Sequence, residues 1–286
     1  MSRKASKIVT YKCINLMNKI RSLVHHLMTL TYYYFGHRKY IRQQIAQLLK
    51  RKTSDTAFLI ATGPSIKRQN LELLEGRDCF TISNAYLHKD ISIVNPIVHG
   101  FAAYHQPMDR QNYIHWLIHA SERLPKSTSI YTATTNRAVI TESGIEESKN
   151  VIFGLYDSFA RYLWPRFYKY LYLPPQSGPL LLLPLIVAMG YKKICLIGCD
   201  HTTMRDYGGF ITNFYENKCD VRKHATDPSV WPNILSEFKS NLNLFEQYAM
   251  YAHWVEVMGV EIINISDDSW LDQFPFSTIE KETRSG

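Results

Sequence analysis

Short apolar runs recur along this chain at the spacing of alternating strands and helices. From Thr53 onward, Ala57–Thr62, Cys79–Ser83, Ile97–Ala102, Ser129–Thr132, Val151–Gly154, Lys193–Gly198 and Val260–Ile265 each read as a strand, and most are continuously apolar. Strands of that kind are buried on both faces, as in a parallel sheet covered by helices. Helical spacing over Asp109–Ala120, Ser177–Met189 and Pro232–Met258 supplies the covering layers, with Ser177 placed as an N-cap and Gly190 and Gly259 as stops. The order predicts a doubly wound, Rossmann-like α/β protein: a mostly parallel sheet flanked by helices. Residues 156–175, crowded with Tyr, Phe, Trp and Arg, have no clean period. They cover a pocket as a lid or pack as an aromatic segment.

The first 52 residues follow a different pattern. Val9, Cys13, Leu16, Met17, Ile20, Leu23, Val24 and Leu27 recur in steps of three and four, the period of one helix face, and Leu30 and Tyr32–Phe35 extend the apolar stretch. Charge sharpens the contrast. The whole chain carries +8, yet residues 1–52 hold twelve of the 33 Lys and Arg and none of the 25 Asp and Glu, leaving the rest at −4. The division expected is a basic amphipathic helical extension, 1–52, followed by one body, 53–286. No apolar run of about 20 residues would span a bilayer, and no short apolar core with a cleavage site marks a signal peptide. The extension reads as a helix lying on an anionic membrane surface, or as one packing on the body or on another subunit in a homo-oligomer. Nucleic acid is not expected, because the body is acidic.

Composition narrows little further. At 45% hydrophobic and 13% aromatic over 286 residues the chain is globular. Its five cysteines include no CxxC pair, so they suit a core in a reducing, cytoplasmic compartment. No zinc-ligand spacing occurs, no Asp-x-Asp motif lies in mid-body, and no metal site is expected.

Chemistry gathers where strands end. Ala57–Ala61 runs into Thr62-Gly63-Pro64-Ser65-Ile66-Lys67, and the loop at the carboxyl end of a parallel strand is where open α/β sheets hold ligands. Gly63 admits close approach, Pro64 fixes φ, and Ser65 offers a hydroxyl and a helix cap; an ordinary turn has the same composition. The second strand ends at Asn84, whose amide could fix a ribose, a phosphate or a sugar, or simply cap a turn. Gln176-Ser177-Gly178 opens an apolar helix whose N-terminus would suit a phosphate or carboxylate. Ile194–Ile197 ends at Gly198-Cys199-Asp200-His201. His99 and His105 flank the exit of the third strand as candidate donor or acceptor contacts.

In this order the blocks, with Gly190-Tyr191-Lys192-Lys193-Ile194 closing the helix, resemble the bacterial sialyltransferases of glycosyltransferase family 42. They are also similar to the wider Gly-Pro-Ser group that includes motility accessory factors and archaeal-type hydroxymethylpterin diphosphokinases. The resemblance runs from about Ala57 to Phe276 and implies a GT-A-like sialyltransferase variant of the fold. It implies that Thr62, Gly63, Pro64, Ser65 and Asn84 hold a CMP-sugar, that Ser177 and Gly178 meet its carboxylate or nucleotide, and that Gly198 and Asp200 lie under the cytidine. It implies a lid over about 202–231 with Tyr207 on the leaving phosphate and His224 as general base. The second lid tyrosine of the family is replaced by Thr202, with Arg205, Tyr215 or Lys223 as substitutes. His201, directly after Asp200, is the other candidate base, since an imidazole titrates near neutrality.

The activity this resemblance implies is metal-independent transfer of a nonulosonic acid, sialic acid- or Kdo-like, from a CMP-activated donor to a glycan or lipid-linked acceptor. No further cofactor is implied, and the place of action is the inner face of the cell membrane. Two other classes remain open: a pterin-type diphosphokinase using ATP and Mg²⁺, with Asp200 and Asp206 as its carboxylates, and a non-catalytic nucleotide- or glycan-binding protein.

Overall fold

The structure, a computed structural model, describes residue 17 and residues 20–105, 108–158, 169–205, 213–222 and 233–284. Eight strands form one sheet: β1 (Thr56–Ile60), β2 (Asp78–Ile82), β3 (Val98–Gly100), β4 (Ser129–Ala133), β5 (Val151–Tyr156), β6 (Leu171–Tyr172), β7 (Lys193–Ile197) and β8 (Glu261–Asn264). Their order is β6-β5-β4-β3-β2-β1-β7-β8, and every adjacent pair is parallel. All seven expected strands are present. The two-residue β6 lies inside the aromatic stretch and is too short to leave a period in the sequence. In that stretch Tyr170, Leu171, Tyr172 and Leu173 are core residues.

Alternate residues of each strand point to opposite faces and bury against different helices. Ala57 and Leu59 of β1, with Phe80, Val98, Tyr131 and Leu196, share a core with three helices: α1 (Arg38–Leu48), α5 (Gly178–Ala188) and α6 (Ile234–Val257). Phe58 and Ile60 face the other layer, with Cys79, Cys195 and Ile197. That layer contains α2 (Ile91–Val94) and α7 (Ile279–Arg284), and farther along the sheet α3 (Arg110–Arg123) and α4 (Arg137–Ser143). The three anticipated helices correspond to α3, α5 and α6; α4, at seven residues, is too brief for its period to show.

α5 is apolar on every side, and Pro179 through Val187 are all buried, which is the condition under which such a helix is stable. Its position beneath β1, β2 and β3 aims its N-terminus at their carboxyl ends. Ser177 occupies the N-cap position with extended backbone but makes no capping hydrogen bond.

Within the extension, helix continues from 20–32 through a π-turn at Tyr33–His37 into α1. Ile41, Ile45 and Leu48 of α1, with Tyr33, belong to the central core. Ahead of that turn Met17, Ile20, Leu23, Val24 and Leu27 are all at least half exposed. Among the described residues no helix is long and apolar enough to cross a membrane.

The sheet order places β2 and β7 on either side of β1. The chain progresses one way from β1 through β6, then crosses back through α5 to start again at β7, so the topological switch point lies between β1 and β7. In open α/β sheets the ligand crevice forms there, outside the strands' carboxyl ends.

Candidate functional site

The exits of β1 and β7 lie side by side. Ala61 N–H donates to the Ile197 carbonyl (2.8 Å) and Gly63 N–H to that of Gly198 (2.9 Å). Gly63 allows this contact: a Cβ there would stand 2.5 Å from Asp200 Cγ and 2.6 Å from the Gly198 oxygen. Gly198 adopts φ +65°, the left-handed region that a side chain would strain. Asp200 then locks the loop. Its Oδ2 accepts from Ser65 N–H (2.8 Å) and its Oδ1 from the Ser65 hydroxyl (2.6 Å). Burial pushes the Asp200 carboxyl up, and the two Ser65 bonds pull against that shift. Ser65 sits inside the 3₁₀ turn Pro64–Arg68 rather than capping it; Gly63 holds the cap position.

Above this junction opens a cavity of about 310 Å³, bordered by Thr62, Gly63, Pro64, Gly198, Asp200 and His201. The start of α5 forms another wall through Ser177 and Gly178. The first N–H groups of a helix have no intrahelical partner and carry its positive potential, so this wall suits an anion. Gly178 lets the helix end reach β2, because a Cβ would run into Ile82 Cδ1. Gln247 of α6 holds the approach: its Oε1 accepts from Gln176 N–H (2.8 Å), and its Nε2 donates to the Pro174 carbonyl (3.0 Å).

His201 has φ +51°, uncommon for a residue with a side chain. Its surroundings enforce it: Ser269 Oγ–H donates to the Cys199 carbonyl (2.8 Å) and Trp270 N–H to that of Asp200 (2.9 Å). The ring's Nε2 lies 2.9 Å from the Tyr248 hydroxyl, which is in turn 3.4 Å from Ser177 Oγ. Burial holds the imidazole's pKa down at about 4, so it is neutral at pH 7 and available to take a proton.

Residues 213–222 contribute Asn213 and Arg222 to the cavity's border. Phe214 N–H donates to the Thr62 carbonyl (3.3 Å), and Asn112 Nδ2 of α3 donates to the Val221 carbonyl (2.7 Å). Arg222 Nε and Nη2 bond Asp220 (2.9 and 2.7 Å), and Nη2 also donates to the Tyr215 hydroxyl (3.0 Å). The guanidinium stands 5.0 Å from the centroid of the Trp116 ring. Burial would raise the Asp220 carboxyl, but Arg222 outweighs it and holds the group below the usual carboxylate range.

Of the residues anticipated from sequence, Thr62, Gly63, Pro64, Ser177, Gly178, Gly198, Asp200, His201 and His105 border the cavity. Ser65 does not; its polar groups are directed to Asp200. Asn84 lies one layer back, wholly buried, accepting from Trp116 Nε1–H (2.6 Å), and it is Trp116 that reaches the cavity. His99 is buried with Nδ1 2.8 Å from Thr81 Oγ1, and burial pulls its pKa down to about 3. Gln176 borders a separate cavity of about 280 Å³ with Glu246, Gln247 and Met250. Arg205 pairs with Asp268 (2.8 Å). Tyr207 and His224, with Asp206 and Lys223, lie outside the described residues. Sequence reasoning passed over Tyr248, Trp116 and Arg222. The first two read as core at helical spacing, and Arg222 shows its role only once Asp220 and Tyr215 surround it.

No family model matches the chain, and neither does any curated protein. Among solved structures it is similar to the monofunctional α-2,3-sialyltransferase Cst-I of Campylobacter jejuni, at 16% identity over 79% of this chain and 81% of that one, TM-score 0.47. It is also similar to the sialyltransferase CstII of Campylobacter jejuni in complex with cytidine-5′-monophosphate, at 14% identity over 78% and 85%, TM-score 0.42. A third is CST-II with a trisaccharide acceptor and CMP, at 13% identity over 77% and 84%, TM-score 0.41. At these values the likeness assigns no role to any residue of this chain.

Proposed function

We propose that this protein is a glycosyltransferase that moves a nonulosonic acid, of the sialic acid or Kdo type, from a CMP-activated donor to a glycan or lipid-linked acceptor without a metal ion. The observation that carries this reading is the convergence, at the β1/β7 switch point, of the Thr62–Pro64 loop, the N-terminus of α5 and a neutral His201 around one cavity. Backbone N–H groups fixed in advance meet phosphate charge without reorganising as the reaction proceeds.

In the reaction the acceptor hydroxyl attacks the anomeric carbon. The new C–O bond forms, the bond to the phosphate oxygen breaks, and CMP leaves with the electron pair. The hydroxyl proton passes to a histidine. Among the described residues His201 has the charge state for this step: its Nε2 lies 2.9 Å from the Tyr248 hydroxyl, and in the tautomer that donates Nε2–H to that oxygen Nδ1 is the acceptor. Phosphate held in the same cavity raises the basicity of the ring, because a nearby negative charge favours the imidazolium. His224 is the other candidate base, and Tyr207 the candidate partner of the leaving phosphate.

The acceptor's setting follows from the extension. The exposed face formed by Leu23, Val24 and Leu27, together with the basic residues of 1–52, suits an anionic membrane surface. The enzyme then meets lipid-linked acceptors at the inner face of the membrane.

Thermal-shift measurements with CMP, CDP, UDP, GDP and ATP, each with and without Mg²⁺, test the donor. Stabilisation by CMP independent of Mg²⁺ is expected. A response to ATP that requires Mg²⁺ would replace the transferase with a kinase-type reaction.

A further inference from the structure

Arg222 is the only Lys or Arg among the described residues that border the cavity. Its fixation is unusually complete. Nε–H and both Nη2 N–H groups are engaged by Asp220 and Tyr215, while the guanidinium stacks over Trp116, whose indole N–H is tied to Asn84. The buried Asn84 amide nitrogen lies beside Tyr215 and Asp220 without a hydrogen bond of good geometry, so the knot is not saturated. Nη1, with its two N–H donors, has no partner among the described residues. An ion pair that served only to pin residues 213–222 to α3 would not need an unpartnered donor pair on a residue that borders the cavity.

We infer that Arg222 determines specificity for the anionic group of the ligand, its Nη1 edge meeting a phosphate or carboxylate oxygen that the α5 N-terminus meets from another wall. A guanidinium anchored on one edge and stacked on an indole keeps its planar fork oriented, which lysine would not. Asp220 does not cancel this function: it fixes the cation and leaves the outward donors to the ligand. The inference rests on the cavity being the donor site.

Calorimetric titration of the full chain with CMP, cytidine and free N-acetylneuraminic acid separates the two sources of negative charge. Wild type is expected to bind CMP more tightly than cytidine. Arg222→Gln is expected to weaken CMP, the free sugar acid, or both by 10- to 100-fold, the value of a charge-assisted hydrogen bond, while cytidine affinity stays as it was. Loss for CMP locates the contact on phosphate, and loss for the sugar acid on carboxylate. Arg222→Lys, which keeps the charge without the fork, is expected to fall between the two, and it carries the test if the glutamine variant does not fold. Unchanged affinity for both anions in the variants overturns the role of Arg222. If wild type prefers another nucleotide, the cytidine assignment fails, and the comparison of that nucleotide with its own nucleoside still reads Arg222. If wild type binds neither nucleotide nor sugar acid, donor site and inference fall together.

Discussion

Ser65 and Asp200, 135 residues apart, bond each other twice, through the backbone N–H and the hydroxyl of Ser65, at 2.8 and 2.6 Å. The pair joins the loop after β1 to the loop after β7 across the switch point. It converts two strand exits into one rigid floor, and it sets both residues to shaping the cavity.

Removing the clamp should loosen that floor. Asp200→Ala abolishes both acceptors in a buried site and should cost about 2–3 kcal/mol, whereas Asp200→Asn retains one acceptor and should cost less. Urea denaturation of the three proteins checks the order; an alanine variant with the wild-type midpoint would remove the clamp from the account.

Gly63→Ala probes the same contact from the backbone side. The added Cβ meets Asp200 Cγ and the Gly198 carbonyl at 2.5–2.6 Å, and neither is a flexible chain end. A loss of about 1–3 kcal/mol is expected, as for overpacked cores, together with loss of the CMP-induced rise in Tm. A variant that keeps both would show that the two exits move apart freely.

His201 and Tyr248 predict a kinetic split. His201→Asn should lower kcat for CMP-sugar turnover by about 10²–10⁴-fold. Tyr248→Phe keeps the base but removes the hydroxyl 2.9 Å from Nε2, which accepts from Nε2–H when the ring is protonated. Because that bond favours the protonated ring, its loss should move the acid limb of the pH–rate profile to lower pH. Equal turnover by His201→Asn and wild type would transfer the role of base to His224.

Two buried imidazoles, His37 and His99, and the half-buried ring of His201 predict acid sensitivity. Burial holds His37 and His201 at about 4 and His99 at about 3, against about 6.5 in an unfolded chain. Between those values the unfolded state binds more protons, so stability is retained above about pH 6.5 and falls as pH drops toward 4. Each group contributes on the order of a few kcal/mol across that window. Among the described residues neither ring nitrogen of His37 has a hydrogen-bond partner, so His37→Phe should flatten the fall of Tm with acid. A variant whose Tm tracks wild type from pH 7 to 4.5 would contradict the assignment.

The extension yields a membrane prediction. Leu23→Glu with Leu27→Glu alters two half-exposed residues, so Tm should stay within a degree or two while co-sedimentation with phosphatidylserine vesicles is lost. Undiminished vesicle binding by the double variant would detach the apolar face from membrane contact.

The sequence by itself determined the layer architecture, because continuous apolar strands have no stable home except a sheet covered on both faces, and most strands longer than two residues left that mark. It also determined where the chemistry would gather, since Gly63 and Gly198 follow apolar runs whose carboxyl ends must share one edge, and Ser177 opens the apolar helix that packs beneath them. Tertiary structure alone decided which polar groups reach the cavity. Ser65 turned to Asp200 and Asn84 to Trp116, because a buried polar group takes the nearest partner that satisfies it. Arg222 came to the cavity, and Tyr248 to the His201 ring behind it, from segments with no local signal, since their roles depend on contacts across dozens of residues that no spacing along the chain encodes.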